Sequence, residues 1–551
     1  MTHGNERFNL AGLVLLLGGA FVLASWVGRS APAPRVLATE APSNALPDLA
    51  YQHIGTIIEP RARENERLLV AHGADGVFEP VTAGYALTLE PDRAEVSRML
   101  ATPISLNWRH PLSGLPAAQI IRVARAVDEG RSEERLHTIL FQDHGALPVL
   151  SLVLPTGALL DPDTGLLVVG NAIFQAPKKM AIAEARDPRW WKYPGNFHMR
   201  GKAWERAGRM QYIRPDGTTG FETAVKVRVN GQMTRGFPQH AFRIGFHGPL
   251  RYDLFDEVIG EGYDAMVVRA AGNDQVKAML RDAFQHELCK GSLFEVSGHR
   301  SCVVYLNGAY WGVHHLRPRM DEEEIARRYV IDKKDVTILE DEARFYRGDE
   351  HEVAKFESFT RRAASFDGAS AAWLDTLHAT VDVDGFLQYM ASQMILGNMD
   401  WPNQNVKFWK YSGEPKGQRP LDGRWYFIMG DSDLGFGAQA GPQAEMFHRA
   451  RIMDVPVTRL FWAMMRAPVL KARFIALATA LANGPFHPDR SLAVLDRFVD
   501  LLSPEMERHT ARWRKPADVP AWRSHIEVMR TYARERSTAV LKQLKSFEEQ
   551  P

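Results

Sequence analysis

The stretch that decides the fold of this 551-residue sequence runs from Gly397 to Gly437. It opens as Gly-Asn-Met-Asp-Trp-Pro-Asn-Gln-Asn (397–405), continues as the strand-like Val-Lys-Phe-Trp-Lys (406–410) and ends as Gly-Asp-Ser-Asp-Leu-Gly-Phe-Gly (430–437). Its candidate ligand side chains are Asp400, Asn405, Asp431 and Asp433. Carboxylate and amide oxygens suit hard divalent cations. Because Asp, Asn and Pro are also frequent turn formers, a plain turn between a helix and a strand is the competing interpretation.

The spacing of these side chains is that of the polar groups that protein kinases use for phosphoryl transfer. There an Asp orients the acceptor hydroxyl, while an Asn five positions later and a downstream Asp hold Mg²⁺ on the ATP phosphates. In this interpretation Asp400 orients the hydroxyl, Asn405 and Asp433 ligate Mg²⁺, and Asp431 is an added or alternative ligand. A fragment of a calcium loop or a capped turn remains open for residues 431–435.

Several blocks along the chain share one family pattern. They are Gly-Asn-x-Asp-Trp-Pro-x-x-Asn-x-Lys-x-Trp (397–409), Arg-Gly-Lys-x-Trp-Glu-Arg (200–206), Arg-Gly-Phe-Pro-Gln-His-Ala-Phe-Arg (235–243), Leu-Arg-Asp-Ala (280–283) and Tyr-Leu-Asn-Gly-x-Tyr-Trp-Gly (305–312). In this order they resemble the CotH family of spore-coat-type, atypical protein kinases. The resemblance covers roughly residues 147–545.

The resemblance implies an ATP- and Mg²⁺- (or Mn²⁺-) dependent kinase that phosphorylates Ser or Thr hydroxyls of cell-envelope or secreted proteins. Two positions depart from the family pattern. His240 stands where a phosphate-contacting lysine is usual, and Pro318 stands where a glutamate is usual. The candidate replacements for nucleotide binding are Arg228, Arg243, Lys277 and Arg281. The departures leave open a catalytically inactive, CotH-like pseudokinase that acts as an envelope assembly scaffold.

The composition excludes some classes of protein. The chain carries 67 Lys plus Arg against 66 Asp plus Glu, a formal charge of +1, so no strongly basic surface indicates a nucleic-acid partner. It contains neither a Walker A loop nor a Gly-x-Ser-x-Gly elbow.

The N-terminus predicts a membrane anchor in residues 1–30. Phe8 to Val27 is an almost uninterrupted apolar run, about long enough for a hydrocarbon core of roughly 30 Å. A cleaved signal peptide is the alternative. Residues 31–69 are rich in Pro and Ala and predict a linker. The arginines on both sides do not settle the orientation, but the family resemblance implies an extracytoplasmic main body, in the cell envelope or periplasm.

Residues 70–145 predict a small β-sandwich. Strands are expected at 85–89, 104–108 and 121–127, where apolar and polar residues alternate. The segment resembles the chitobiase C-terminal-like module that often precedes CotH domains. Trp108 is either a half-buried tryptophan or an aromatic platform for a polysaccharide.

The remaining residues predict an α+β fold with a main domain at 146–440 and a helical C-terminal subdomain at 441–551. The family resemblance makes the main domain kinase-like. Residues 147–153 predict a buried strand, residues 274–290 a helix, and residues 302–316 a β-hairpin around Asn307-Gly308. Cys289 and Cys302 are either a disulfide or two buried thiols.

Overall fold

The computed structural model describes residues 67–549, except 82–87, 128–129, 172–173, 175–188, 256–261, 364 and 366–369. The strands are β1 (Leu68–His72), β2 (Glu79–Val81), β3 (Ala118–Val127), β4 (Gly130–Arg131), β5 (Arg135–Leu140), β6 (Val149–Val153), β7 (Arg206–Ile213), β8 (Thr219–Asn230), β9 (Ala241–Leu250), β10 (Tyr263–Arg269), β11 (Arg300–Leu306), β12 (Ala309–Pro318), β13 (Val336–Glu340), β14 (Arg344–Arg347), β15 (Val406–Tyr411) and β16 (Trp425–Met429).

The α-helices of these residues are concentrated in the C-terminal half. They are α1 (Arg93–Ala101), α2 (Thr156–Leu160), α3 (Arg281–Leu288), α4 (Glu322–Tyr329), α5 (His351–Ala363), α6 (Ala371–Thr380), α7 (Val383–Leu396), α8 (Met446–Ile452), α9 (Pro456–Met465), α10 (Pro468–Asn483), α11 (Pro488–Trp513) and α12 (Val519–Glu548). The fold is mixed α+β, with a large sheet-rich part and a helical C-terminal part.

The predicted β-sandwich is a single sheet in the part of 67–140 that the structure describes. Its order is β2-β1-β3-β4, and β5 also pairs with β3. The strand predicted at 104–108 is wrong: this segment turns, and Ser105 Oγ donates a hydrogen bond to the Gly236 carbonyl at 2.6 Å. Helix α1, which the sequence analysis missed, packs Val96 and Met99 into the core of the next sheet. Trp108 packs there as well.

The main sheet closes into a barrel in the order β10-β12-β11-β6-β7-β8-β9. Alternation along β8 gives the sheet a buried face and an outer face: Val225, Val227 and Val229 are buried, whereas Lys226 and Arg228 lie on the other face. Buried apolar side chains from all seven strands fill the interior. The hairpin β11–β12 turns at Asn307 and Gly308, which have φ of 50° and 77°, so the predicted Asn-Gly turn is confirmed.

A second sheet has the order β14-β13-β15-β16. One of its faces, with Phe408 and Phe427, joins the large apolar cluster around α7, and the opposite face, with Trp409 and Tyr426, forms a smaller cluster with α4. Helix α7 is buried along almost its whole length. It ends at Gly397, whose φ of 62° and ψ of 39° turn the chain towards Asp400.

The predicted helical C-terminal part is confirmed as helices α8 to α12. Helix α11 packs on β12 and α3, and α12 packs on α10 and α11. The helix predicted at 274–290 begins only at Arg281, because a 3₁₀ turn at Gly272–Val276 and a positive φ at Met279 precede it. The main-domain and C-terminal boundaries remain predictions.

Two predictions concern residues 1–69 and the cysteines. The anchor and most of the linker lie outside the described residues. In the part of the chain that the structure describes, no helix is both long and apolar enough to cross a membrane.

Cys289 and Cys302 are buried, form no disulfide and belong to different apolar clusters. Of the two alternatives, the structure therefore supports separate thiols.

Candidate active site

A cleft of about 900 Å³ lies between one end of the barrel and the second sheet. The β8–β9 loop, the ends of β10 and β12, the β13–β14 turn and the loop before β15 form its walls. All four predicted metal and catalytic residues line it: Asp400, Asn405, Asp431 and Asp433. The decisive stretch of the sequence therefore brings its oxygen donors to one cavity.

The loop that carries Asp400 is tied to the loop that carries Asp431. Asn398 is buried; its Oδ1 accepts a hydrogen bond from the Asp400 backbone N–H at 3.2 Å, and its Nδ2 donates to the Asp431 carbonyl at 3.1 Å. Asn405 Nδ2 donates to Asp400 Oδ2 at 3.4 Å. The positive φ of Asn405, 63°, is a conformation that asparagine tolerates better than most residues. These bonds fix Asp400 and Asn405 relative to each other.

Arg269, at the end of β10, joins the two acidic residues of the second loop. Its Nη1 donates to Asp431 Oδ2 at 3.0 Å, and its Nη2 lies 3.5 Å from Asp433 Oδ2. The Asp431 side chain is 46% exposed and that of Asp433 only 4%. The cleft therefore has one accessible and one buried carboxylate, held by a single guanidinium group.

Asp282 on α3 supports this arrangement from behind. Its Oδ1 accepts a hydrogen bond from the Ser432 backbone N–H at 3.0 Å, between the two acidic residues. Its Oδ2 lies 3.4 Å from Arg269 Nε and accepts from Arg317. Burial opposes ionisation, but Arg317 and Arg269 outweigh it and hold the pKa of Asp282 well below its ordinary value. Asp282 is therefore a charged anchor for the loop.

Glycine at position 272 allows the β10 end to approach Asp433. A Cβ there would lie 2.1 Å from Asp433 Oδ2 and 2.7 Å from Arg269 Nη2, and φ is 58°. The next residue, Asn273, donates its backbone N–H to Asp433 Oδ2 at 2.5 Å. Any side chain at position 272 would thus displace the carboxylate.

Two carboxylates of the cleft, those of Asp433 and Asp400, resist ionisation. Burial raises the pKa of Asp433 to about 7; Arg269 opposes the shift, and Asp431 and Asp282 add to it. Burial and then Asp431 raise the pKa of Asp400. Closely spaced carboxylates raise each other's pKa because both cannot be charged without repulsion. A bound cation would relieve this repulsion.

The oxygen donors of the cleft suit a divalent cation whose coordination is completed by other ligands. Among the described residues, no three His, Cys, Asp or Glu side chains already enclose a metal position. Mg²⁺ is usually held by one or two carboxylates, with substrate phosphates and waters supplying the rest. Asp282, Asp431 and Asp433 lie within 3.5 Å of the Arg269 guanidinium, whereas Asp400 lies near Asp431 and Arg449. The residues therefore fit Mg²⁺ or Mn²⁺.

Two of the predicted nucleotide-binding cations lie beside the cleft. Arg228 and Arg243 are direct cross-strand partners on β8 and β9, and the same row continues through Val267 to Arg317, both of which line the cleft. Burial, followed by repulsion from Arg243, lowers the pKa of Arg228. This row of cations on the outer barrel face is suited to an anion.

The other two predicted cations have structural bonds outside the cleft lining. Lys277 Nζ donates to the Ala438 carbonyl at 2.7 Å. Arg281 is fully buried, bonds Asp274 and donates to the Phe436 carbonyl at 3.3 Å. Both side chains hold the loop after Asp433 in place. Their role in nucleotide binding stays a prediction.

Comparison with known families now bears on this site. Residues 227–540, more than half of the chain, match the family model described as CotH kinase protein. The chain belongs to the CotH kinase family. No curated protein matches it. The matched range contains the cleft residues Arg269, Asp400, Asn405, Asp431 and Asp433.

The departures from the CotH pattern differ in their position. Pro318 lines the cleft at the end of β12. His240 does not: it is completely buried, its Nε2 lies 3.0 Å from the Ile104 carbonyl, and its ring stacks on Phe197. His240 therefore lies outside the cleft, and the effect of losing a phosphate-contacting lysine at this position stays a prediction.

Lys407 is a CotH cleft residue whose role the sequence analysis missed. It lines the cleft from β15, opposite Glu340 on β13. Its Nζ donates to the Met320 carbonyl at 3.0 Å and lies 3.9 Å from the centre of the Tyr346 ring. Burial lowers its pKa, and Glu340 opposes this. The lysine two positions after Asn405 in the family block was the signal for it.

Proposed function

We propose that this CotH family member is an ATP- and Mg²⁺-dependent protein kinase that phosphorylates Ser or Thr hydroxyls of cell-envelope or secreted proteins. The observation that carries the proposal is the lining of one cleft by Asp400, Asn405, Asp431 and Asp433. Phosphoryl transfer needs positioning and charge neutralisation more than covalent chemistry from the protein. This cleft offers a carboxylate that can position the acceptor hydroxyl and oxygen donors that can hold a charge-neutralising cation.

In the proposed reaction the acceptor hydroxyl oxygen bonds to the γ-phosphorus while the bond from that phosphorus to the β–γ bridging oxygen breaks, and ADP leaves. Asp400 accepts a hydrogen bond from the hydroxyl and takes its proton as the new bond forms. Asn405, Asp431 and Asp433 would hold Mg²⁺ or Mn²⁺, which neutralises charge on the phosphate oxygens when bound. Asp282 and Arg269 keep the Asp431–Asp433 loop in position.

Lys407 is proposed as the phosphate-binding lysine. It points into the cleft and faces Glu340 across the β13–β15 ladder. The family pattern usually has a lysine and a glutamate at the positions of His240 and Pro318. Lys407 and Glu340 supply a lysine and a glutamate from other positions. Arg228 and Arg243 add positive charge on the adjacent barrel face. We propose that the arrangement of the barrel and the second sheet around the cleft is kinase-like.

The test is transfer of the labelled γ-phosphate of ATP by the full-length chain to itself and to a Ser/Thr-rich acceptor protein, with Mg²⁺ or Mn²⁺. We expect transfer by the wild type and a loss of at least about 100-fold in Asp400→Asn. Asp454→Asn, an exposed carboxyl paired with Arg459, is the matched control. No transfer with either cation, together with no nucleotide binding, would reject the proposal.

A pseudokinase scaffold is the second candidate, and the contact of Arg269 with both Asp431 and Asp433 favours it. An arginine can neutralise these carboxylates without a metal. In that case neither ATP nor a divalent cation would raise the melting temperature of the chain, and the Asp400 variant would behave as the wild type does.

The proposed location is the cell envelope, with the main body outside the cytoplasm and an anchor formed by the apolar run at 8–27. Partition of the full-length chain into membranes, compared with a chain that begins at residue 31, tests this. A polysaccharide contact through Trp108 stays a minor proposal. Retention of the full-length chain on polysaccharide beads, and its loss in Trp108→Ala, would support it.

A further inference from the structure

A second cavity, of about 420 Å³, lies in the helical part between α8, α9 and α12. Aromatic side chains line its wall. Phe547 stacks on Phe447 with ring centres 5.1 Å apart and meets Trp462 edge-on at 5.9 Å. Arg451 and Lys542 complete the cavity, which we call the basic–aromatic pocket. Nothing in the proposed phosphoryl transfer uses it.

The basic–aromatic pocket holds two cations, Arg451 and Lys542, against one carboxylate, Glu445. Among the described residues, neither Arg451 nor Lys542 forms an ion pair, and the Arg451 guanidinium lies over the Trp462 ring at 4.5 Å. The carboxylate that lines the pocket, Glu445, accepts a hydrogen bond from Gln543 Nε2 at 3.2 Å. The Oε1 atom of Gln543 is buried and has no hydrogen-bond partner among the residues that the structure describes. The pocket therefore offers two cations, an aromatic wall and a polar amide.

Helix α8 connects this pocket to the proposed acceptor site. Arg451 faces the pocket, and Arg449, two positions earlier, faces the loop that carries Asp400. Arg449 donates to the Trp401 carbonyl at 2.7 Å and to the Met399 carbonyl at 2.5 Å, on both sides of Asp400. The pocket and the Asp400 loop thus lie against the same short helix.

We propose that the basic–aromatic pocket docks an acidic segment of the protein acceptor. Carboxylates of that segment pair with Arg451 and Lys542, and an aromatic or aliphatic side chain packs on Trp462 and Phe547. This inference rests on the proposed function for its link to Asp400. A helix is about 10 Å across, and an extended chain rises about 3.3 Å per residue. The docked segment is therefore about three to five residues from the accepting hydroxyl.

The test uses the full-length chain and a fluorescein-labelled peptide that contains Glu-Glu-Phe-Glu four residues before a serine. Binding is followed by fluorescence anisotropy in low salt, and phosphorylation of the same peptide is followed with labelled ATP. The variant is Arg451→Glu with Lys542→Glu. The matched control is Arg523→Glu with Lys545→Glu, two exposed α12 cations outside the pocket lining. A second peptide carries Lys in place of Glu.

We expect the acidic peptide to bind the wild type and the control equally, and the pocket variant at least about 10-fold more weakly. The lysine peptide should bind none of them. KM for the acidic peptide should rise in the pocket variant while kcat and the KM for ATP stay unchanged. If the peptide binds as expected but no chain transfers phosphate, the pocket stands and the proposed function falls.

Three results would overturn the docking proposal. One is equal binding of the acidic peptide by the pocket variant and the control. Another is equal phosphorylation of the acidic and lysine peptides by the wild type. The third is a dimer of the wild type, seen by sedimentation, that the pocket variant alone dissociates, because the occupant would then be a second copy of this chain.

Discussion

The guanidinium group of Arg269 donates a hydrogen bond to Asp431 at 3.0 Å and also contacts Asp433, the two carboxylates proposed to hold a metal. The same group faces Asp282 at 3.4 Å. Burial lowers the affinity of Arg269 for its proton, but Asp431 and the other carboxylates outweigh this and raise its pKa. A divalent cation in this cleft would therefore share its ligands with an arginine.

Replacement of this arginine should make stability depend on the metal. Arg269→Met leaves three carboxylates without their shared partner, so the free energy of unfolding in EDTA should fall by about 3–5 kcal/mol. Mn²⁺ or Mg²⁺ should recover part of that loss and raise the melting temperature more than it does in the wild type. Thermal unfolding with and without the cation measures both effects.

The control for this change is Arg209→Met on β7, since Arg209 is also buried and pairs with Glu222 and Glu133. Arg209→Met should lower the free energy of unfolding, and Mn²⁺ or Mg²⁺ should not restore it. Equal recovery in the two variants would contradict a cation site beside Arg269.

Asp433→Asn should abolish the metal-dependent part of nucleotide binding. Asparagine keeps an oxygen for the Asn273 N–H but loses the negative charge that a hard cation requires. The rise in melting temperature produced by ATP with Mn²⁺ should be lost, while Asp454→Asn should keep it. A full thermal response in Asp433→Asn would exclude this residue as a metal ligand.

Lys407→Met should weaken ATP binding by at least about 10-fold, because an ammonium group facing phosphate oxygens contributes on the order of 1.5–3 kcal/mol. Lys410→Met on the same strand is the matched control: Lys410 bonds Glu352 at 3.0 Å and does not line the cleft. Measurements of the KM for ATP and of the rise in melting temperature with ATP distinguish Lys407→Met from Lys410→Met. Equal effects of both substitutions on the KM would contradict the assignment of Lys407.

Asp321, the N-cap of α4, should make stability depend on pH. Burial raises its pKa to about 6 from 3.8, although Arg319 opposes the shift. The folded state therefore holds this proton more tightly than the unfolded chain, and its contribution to stability is lost as pH rises from about 4 through about 6. The side chain of Asp321→Asn cannot ionise. Over that pH range the free energy of unfolding of this variant should therefore fall by about 1–3 kcal/mol less than that of the wild type.

Thermal unfolding at about pH 4.5 and about pH 8 measures this effect. Asp375→Asn, an exposed residue of α6, is the control and should follow the wild type. Parallel pH dependence in Asp321→Asn and the wild type would contradict the assignment.

Local patterns predicted the parts of the fold that depend on neighbouring residues. The Asn307-Gly308 hairpin and the helices after residue 441 follow from turn chemistry and from a period of 3.6. Barrel closure could not be predicted this way, since β6 pairs in parallel with β11, about 150 residues later, and β10 pairs with β12 rather than with the next strand, β11. Such pairings leave no local signal.

In the candidate site too, the sequence predicted features that lie close together along the chain and missed contacts between distant residues. The oxygen donors of residues 400–433 were visible because they lie in one stretch, whereas Arg269 was not, because its partners are 162 residues away. The buried ion pair of Arg281 with Asp274 was not visible in the sequence, and a role of Arg281 in nucleotide binding stays a prediction. The burial of His240 could not be predicted either, because alternation shows that neighbouring residues differ in face and does not show which face meets the cleft.

The most direct test of the account is a crystal structure of this chain with Mn²⁺ and a non-hydrolysable ATP analogue. We predict one anomalous Mn²⁺ peak coordinated by Asp433 or Asp431 and Asn405 at about 2.0–2.3 Å, with Lys407 on a phosphate and Asp400 free for a hydroxyl. An empty cleft in which Arg269 still binds both carboxylates, under saturating nucleotide and metal, would contradict it.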